Sequence, residues 1–339
     1  MIQSSKIILT TVLASLFFIS CNNSKESSPF SDILSQPPFY QITDSINKDP
    51  KQDELYFRRA VLLNKNNLPE PALADFQKAW SLKKEEPYAL GISTILVDKN
   101  PDSAIAFLKE ALKEIPNSFF LYLSLARSYD AQNKTDEALN ICNEILDKDP
   151  DHADVLKMKA DLLNKKGKTF EAIKTLETAY RIFPFDAELN YELAYQYAET
   201  KNPKVVALCD SLIQKDSLHL HAEPYYLKGL YFSNINDKAK AIDLFDQAIQ
   251  HDYSYLNAYI GKGRALYDQK KINEAMKVFQ LAIKISSTFA DAYYWMGKCQ
   301  EASGQKEEAL LNYQRAYGLD KTFTEAKEAA ERIKSIIMN

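Results

Sequence analysis

Residues 240–250, KAIDLFDQAIQ, and residues 274–284, EAMKVFQLAIK, write the same helix twice at an interval of 34 residues. Both carry Ala, a ring four residues on, then Ala–Ile, which places one apolar stripe on a helix face. The pattern recurs along most of the chain, as Ala72/Phe76/Ala79, Ala104/Leu108/Ala111, Ala138/Cys142/Ile145 and Ala172/Leu176/Ala179. It continues as Val205/Cys209/Leu212, Ala241/Phe245/Ala248, Ala275/Phe279/Ala282 and Ala309/Tyr313/Ala316. Twelve residues before most leading members stands another small residue, at Ala60, Ala126, Ala160, Gly229, Gly263 and Gly297, with Ala194 one place out of step. A large side chain precedes these by four, at Tyr56, Tyr122, Leu156, Tyr225, Tyr259 and Tyr293. A chain that repeats a helix pair at fixed period cannot bury each pair alone, so neighbours must stack.

The pattern resembles the tetratricopeptide repeat, whose 34-residue signature is W-x₂-L-G-x₂-Y, then A-x₃-F, then P. Tyr stands for Trp at most first positions, and Pro116, Pro150 and Pro184 close their units. The expected fold is all-α: a right-handed superhelical solenoid of about eight helix-turn-helix repeats with a terminal capping helix. The expected array spans residues 53–323, preceded by a half-repeat at 38–52 and followed by a capping helix at 324–339 with Ala326, Ala330, Ile333 and Ile337 facing the array. Spacing slips between Ala72 and Ala104 and around residues 198–222, so those two joints are expected to be irregular. Small residues mark close helix crossings, and the large ones fill the adjoining holes.

Composition supports the same reading. Eight glycines in 339 residues leave few sites suited to positive φ, and no Asn-Gly or Asp-Gly hairpin signal is present. The net charge is −4 and the basic residues are scattered, so a nucleic-acid partner is not expected.

Residues 1–20 read as an export signal: Lys6, then an apolar run of about 14 residues, shorter than the roughly 20 needed to span a bilayer. The run ends in Phe-Ile-Ser-Cys, which resembles a lipobox with Phe18 in place of the usual Leu, and makes Cys21 the expected lipidation site. The polar, Ser-rich stretch within 21–37 suits a flexible tether. These features together point to a lipid-anchored protein of the Gram-negative cell envelope. The outer membrane is favoured because Asn22 stands where inner-membrane lipoproteins commonly carry Asp.

No catalytic constellation emerges. Cys142 and Cys209 occupy the ring slot of the repeat, Cys299 follows Gly297 on a first helix, and all three read as buried structural thiols. His219 and His221, two apart, do not share a helix face, and His152 and His251 stand singly at turns. The sequence holds no P-loop, G-x-S-x-G, H-E-x-x-H or dinucleotide fingerprint. No cofactor and no metal is expected.

The resemblance implies that first helices line a concave face that binds peptides or protein segments. Helical spacing puts Phe57, Arg127, Lys157, Asp161 and Asn164 inward in the first half, a mixed polar set. The second half presents Tyr191, Tyr195, Tyr226, Arg264, Tyr267, Tyr294 and Lys298. Tyrosines give rigid contact area with a polar tip, and the two cations among them suit an acidic or carboxylate-bearing segment. The Lys and Asn set of the chaperone-binding carboxylate clamp is absent. The expected role is a non-enzymatic, lipid-anchored scaffold that binds protein segments and aids assembly of a membrane or envelope complex. The alternative is an accessory subunit that docks an envelope enzyme such as a protease.

Overall fold

The structure, a computed structural model, describes residues 29–215 and 221–338, and every regular element among them is a helix. The chain divides into two compact units that meet at Leu121 and Tyr122. The first contains α1 (Ser31–Leu34), α2 (Tyr40–Lys48), α3 (Asp53–Lys65), α4 (Pro69–Leu82), α5 (Glu86–Lys99) and α6 (Pro101–Glu114). Helix α7 (Phe119–Ala131) crosses into the second unit, which continues with α8 (Thr135–Lys148), α9 (Ala153–Lys165), α10 (Thr169–Ile182), α11 (Ala187–Glu199) and α12 (Lys204–Lys215). Then come α13 (Glu223–Asn234), α14 (Lys238–His251), α15 (Leu256–Asp268), α16 (Ile272–Ile285), α17 (Ala290–Ala302), α18 (Lys306–Leu319) and α19 (Thr324–Met338). From α3 to α18 the helices fall into eight pairs, one for each unit of the sequence repeat. Cys21 and His219 lie outside the described residues.

Seven of the eight turns within a pair are built alike. Asn67, Asn133, Gly167, Lys201, Asn236, Lys270 and Gly304 all take positive φ, between 56° and 79°. The residue after each donates its backbone N–H to a carbonyl five positions back, as Leu68 does to Leu63 and Lys271 to Leu266. These are Schellman bonds that satisfy the orphan carbonyls of a first helix. The scarcity of glycine therefore did not exclude positive φ: Asn and Lys fill five of the seven positions.

The two slips of period have separate causes. Between α5 and α6 a single residue replaces the usual three. Asn100 ends α5 by donating its N–H to Leu96 O at 2.7 Å and starts α6 by accepting from Ser103 N at 3.1 Å. Two missing residues shorten the Ala72–Ala104 interval accordingly. Between α12 and α13 lie seven residues, of which 216–220 are outside the described set, against four between α10 and α11.

The tyrosines at the signature Trp position have a polar task as well as a packing one. Tyr56, Tyr259 and Tyr293 donate their hydroxyls to carbonyls six residues back, at Pro50, Tyr253 and Ser287. Asn190 does the same for Pro184 O at 3.1 Å. Each ties a first helix to the turn that precedes it.

Packing follows the small-and-large alternation. The Phe245 ring is held between two glycines of successive first helices: a Cβ on Gly229 would come within 2.7 Å of it, and one on Gly261 within 2.6 Å. Phe279 packs on Gly263 and Tyr313 on Gly297 in the same manner. Ala241, Ala275 and Ala309 are fully buried at the same crossings. At the C-terminal end, Ala326, Ala329, Ala330 and Ile333 of α19 are buried, and α19 packs on α18. Ile337, expected on that face, is 37% exposed, and Ala329 is buried instead. Arg332 adds a bidentate pair to Glu301 at 2.6 and 2.8 Å, which holds that carboxyl below the usual range.

In the first unit a buried ion pair joins three helices. Arg59 on α3 donates to both carboxylate oxygens of Asp75 on α4, at 2.6 and 2.8 Å, and to Thr43 Oγ1 on α2 at 3.0 Å. Phe57, expected on the binding face, packs instead against Phe76 and Tyr88 in this core.

Candidate binding surface

The first helices of the second unit form a cleft of about 600 Å³ across α7, α9 and α11. Its lining comes from single helix faces. Arg127 and Asp130 stand one turn apart on α7; Asp154, Lys157, Asp161 and Asn164 climb α9; Glu192 and Gln196 stand one turn apart on α11. Spacings of three and four residues put each set on one face. Four of the five residues read as the mixed polar set, Arg127, Lys157, Asp161 and Asn164, are thus brought together here.

The charges in the cleft are only partly paired. Lys165 reaches both oxygens of Asp130 at 2.7 Å, and Lys157 pairs with Glu188. Arg127 is exposed and has no ion-pair partner among the described residues. Burial raises the Asp161 carboxyl above its usual range, and the like charge of Glu192 adds to that, while Lys157 and Lys165 oppose it. Asn164 Oδ1 is buried in the cleft with no hydrogen-bond partner among the described residues.

The aromatic set lies on α11, α13, α15 and α17, and most of its rings lean on neighbours. Tyr195 is exposed, at 42%. Tyr191 is half-buried. Tyr226 sits between Phe245 and Tyr255, with centroids 5.8 and 5.5 Å away, and burial pushes its phenol up to about 12. Tyr267 and Tyr294 meet Trp295 edge-on at 5.9 and 5.8 Å, and Tyr294 also contacts Phe323 at 4.8 Å. Arg264 is exposed and lies over the Trp295 ring, 5.1 Å from its centroid. Tyr226 and Arg264 line one recess with Asn257 and Asp291; Lys298, half-buried one repeat further on, is not among its lining residues. The sequence reading did not single out Trp295, Asn257 or Asp291. Trp295 directly follows Tyr294, on a neighbouring face of the same helix, and its place under Arg264 depends on the crossing of α15 with α17.

The three described cysteines are buried, and burial pushes their thiols up to about 12, far from thiolate reactivity at neutral pH. His251 stacks on Tyr225 at 4.4 Å and His221 lies 6.4 Å from Tyr191. Among the described residues, no group of three or more His, Cys, Asp or Glu side chains could hold a metal ion, and no helix is long and apolar enough to cross a membrane.

Family models described as tetratricopeptide repeat match residues 97–162, 222–253 and 291–320, and one described as TPR repeat matches residues 263–304. The chain is a tetratricopeptide-repeat protein. A solved tetratricopeptide repeat protein from Parabacteroides merdae shares the fold with a TM-score of 0.60, at 20% identity, over 73% of this chain and 97% of that one. ER membrane protein complex subunit 2 of Xenopus tropicalis is 25% identical over 166 residues, 47% of this chain and 54% of that protein. Subunits 2-A and 2-B of Xenopus laevis match to the same extent. The tetratricopeptide-repeat chain thus spans about half the length of the curated relatives it matches.

Proposed function

We propose that this tetratricopeptide-repeat protein is a non-enzymatic scaffold that holds an extended protein segment along the first-helix face of its second unit. The observation that carries this reading is the cleft across α7, α9 and α11, with Arg127 unpaired and Asn164 Oδ1 unsatisfied. A buried acceptor without a donor is costly, and a backbone N–H of a bound segment would satisfy it. Tyr195, exposed on α11, extends the contact surface towards Tyr191, Tyr226, Arg264, Tyr267, Tyr294 and Lys298. Tyrosines and unpaired charges at a pre-formed surface are what hot spots are made of. A charge swap at Arg127→Glu with Lys157→Glu is expected to cut partner co-purification from detergent-extracted envelopes about tenfold or more. Melting should change little, since Arg127 is exposed and half-buried Lys157 gives up only a surface ion pair to Glu188. Undiminished co-purification would contradict the reading.

The scaffold is further proposed to be lipid-anchored through Cys21 at the outer membrane of a Gram-negative envelope, where it serves assembly of a membrane or envelope complex. The likeness to a subunit of the ER membrane protein complex supports a place as one subunit of a membrane assembly. The signal-like residues 1–20 and the Phe-Ile-Ser-Cys ending support the anchor. Intact-mass measurement is expected to show acylated Cys21 as the mature N-terminus, with Cys21→Ser abolishing acylation. A mature chain that begins beyond Cys21 without lipid would contradict the anchor.

A further inference from the structure

A second recess opens between α13, α15 and α17, separate from the charged cleft. Its volume is about 200 Å³, smaller than the ~300–1,000 Å³ typical of ligand and cofactor pockets and suited to one side chain. Leu230, Phe245, Ile260 and Phe289 supply an apolar lining. Gly261 belongs to it too: a Cβ there would stand 2.6 Å from the Phe245 ring, so the glycine is what lets ring and helix approach. Exposed Asn257 and Arg264 and half-buried Ser233, Asn234 and Asp291 are polar members of the lining.

Arg264 is the unusual group. Its guanidinium lies over Trp295, 5.1 Å from the ring centroid, and makes neither hydrogen bond nor ion pair among the described residues. Asp291 feels its charge, yet the two do not reach ion-pair distance, and burial still raises the Asp291 carboxyl. A guanidinium held over a ring has lost part of its rotamer freedom already, and its N–H groups can still donate to a carboxylate.

We propose that this recess is the anchor pocket for the bound segment: an apolar side chain enters it, and a carboxylate one or two residues away in the segment pairs with Arg264. This rests on the scaffold reading above. The apolar lining and the single unpaired cation commit the pocket to a peptide in which an apolar residue lies close to Asp or Glu. A phosphate-bearing ligand would bring nothing to cover Phe245 and Ile260.

The test is affinity selection of a random twelve-residue peptide library displayed on phage, with the full chain as bait. Enriched peptides are expected to carry Leu, Ile, Met or Phe within two residues of Asp or Glu. Selection with Arg264→Glu should place Lys or Arg at the acidic position, and should weaken a peptide of the parent motif about tenfold, the change expected for one charge-assisted contact. Asn257→Trp, which covers the recess from its exposed side, should remove the apolar preference. Both substitutions are at exposed positions, so melting should match the parent. An acidic preference that survives Arg264→Glu, the absence of any apolar–acidic preference, or a library that enriches nothing overturns the pocket. Peptides without the motif that still fail to bind the Arg127→Glu, Lys157→Glu chain would overturn the pocket while leaving the binding face standing.

Discussion

Arg59→Ala is expected to destabilise the first unit by about 3–5 kcal/mol, because it leaves the Asp75 carboxylate buried without its partner. Both residues are 6% exposed, and the pair is bidentate at 2.6 and 2.8 Å, so water cannot replace the lost guanidinium in place. Thr43 also loses its donor, so α2 should loosen from α3 and α4 with the same substitution. The paired replacement Arg59→Leu with Asp75→Leu removes both charges together and should cost far less than either alone, since no buried ion remains. Trp80 lies in the first unit and Trp295 in the second, and the chain has only these two tryptophans. Urea denaturation followed by fluorescence in a Trp295→Phe background therefore reports the first unit alone. A single Arg59→Ala change that leaves the midpoint in place would show that the pair contributes nothing to this unit.

Phe279→Ala is expected to cost about 3–5 kcal/mol in the second unit. The ring is fully buried among Tyr259, Ile260, Leu266, Val278 and Met296, and stacks on Trp295 at 6.2 Å. It also defines the sign of a second change. A Cβ on Gly263 would come within 2.3 Å of the ring, so Gly263→Ala should cost about 1–3 kcal/mol by overpacking, despite the better helix propensity of alanine. In the Phe279→Ala background the ring is gone, and the same Gly263→Ala substitution should become neutral or stabilising. A double-mutant cycle, read from Trp295 fluorescence in a Trp80→Phe background, measures this coupling directly. Additive effects would mean that Gly263 and Phe279 do not share the crossing. Repeat units depend on their neighbours, so the loss should spread to α15 and α17 rather than stay at one helix.

Both expectations bear on what could be read before the fold was seen. Gly263 and Phe279 were legible because they recur at fixed period: the 34-residue spacing fixes their faces, and faces at a crossing must differ in size. The slip between Ala72 and Ala104 was legible as an irregularity, and its cause, Asn100 acting as the end of one helix and the cap of the next, is local. Arg59 and Asp75 were not legible. Neither recurs at the repeat interval, and nothing local distinguishes them from the many exposed charges of a helical chain. The surface divides in the same way. Arg127, Lys157, Asp161 and Asn164 were placed inward from helical spacing alone. Whether a ring such as Tyr226 stands free or rests on Phe245 depends on how closely adjacent repeats approach, and that follows from Gly229 on its own helix and Gly261 two helices on. Positive φ at Lys201 and Lys270 was hidden for a different reason: the Schellman bond carries the turn, so the residue type there need not announce it.

The scaffold reading makes one face of the second unit the place where a partner lies. A photoreactive phenylalanine analogue in place of Lys157 or Tyr195 samples that face, and the same analogue in place of Phe170 or Leu311 samples the second helices, where those side chains are 83% and 65% exposed. Irradiation in intact cells followed by mass spectrometry of the adducts is the most direct measurement. The account predicts adducts from positions 157 and 195 to one protein, at two points of a single extended segment, and none to that protein from positions 170 and 311. Adducts to a common partner from positions 170 and 311, with none from 157 and 195, would contradict it.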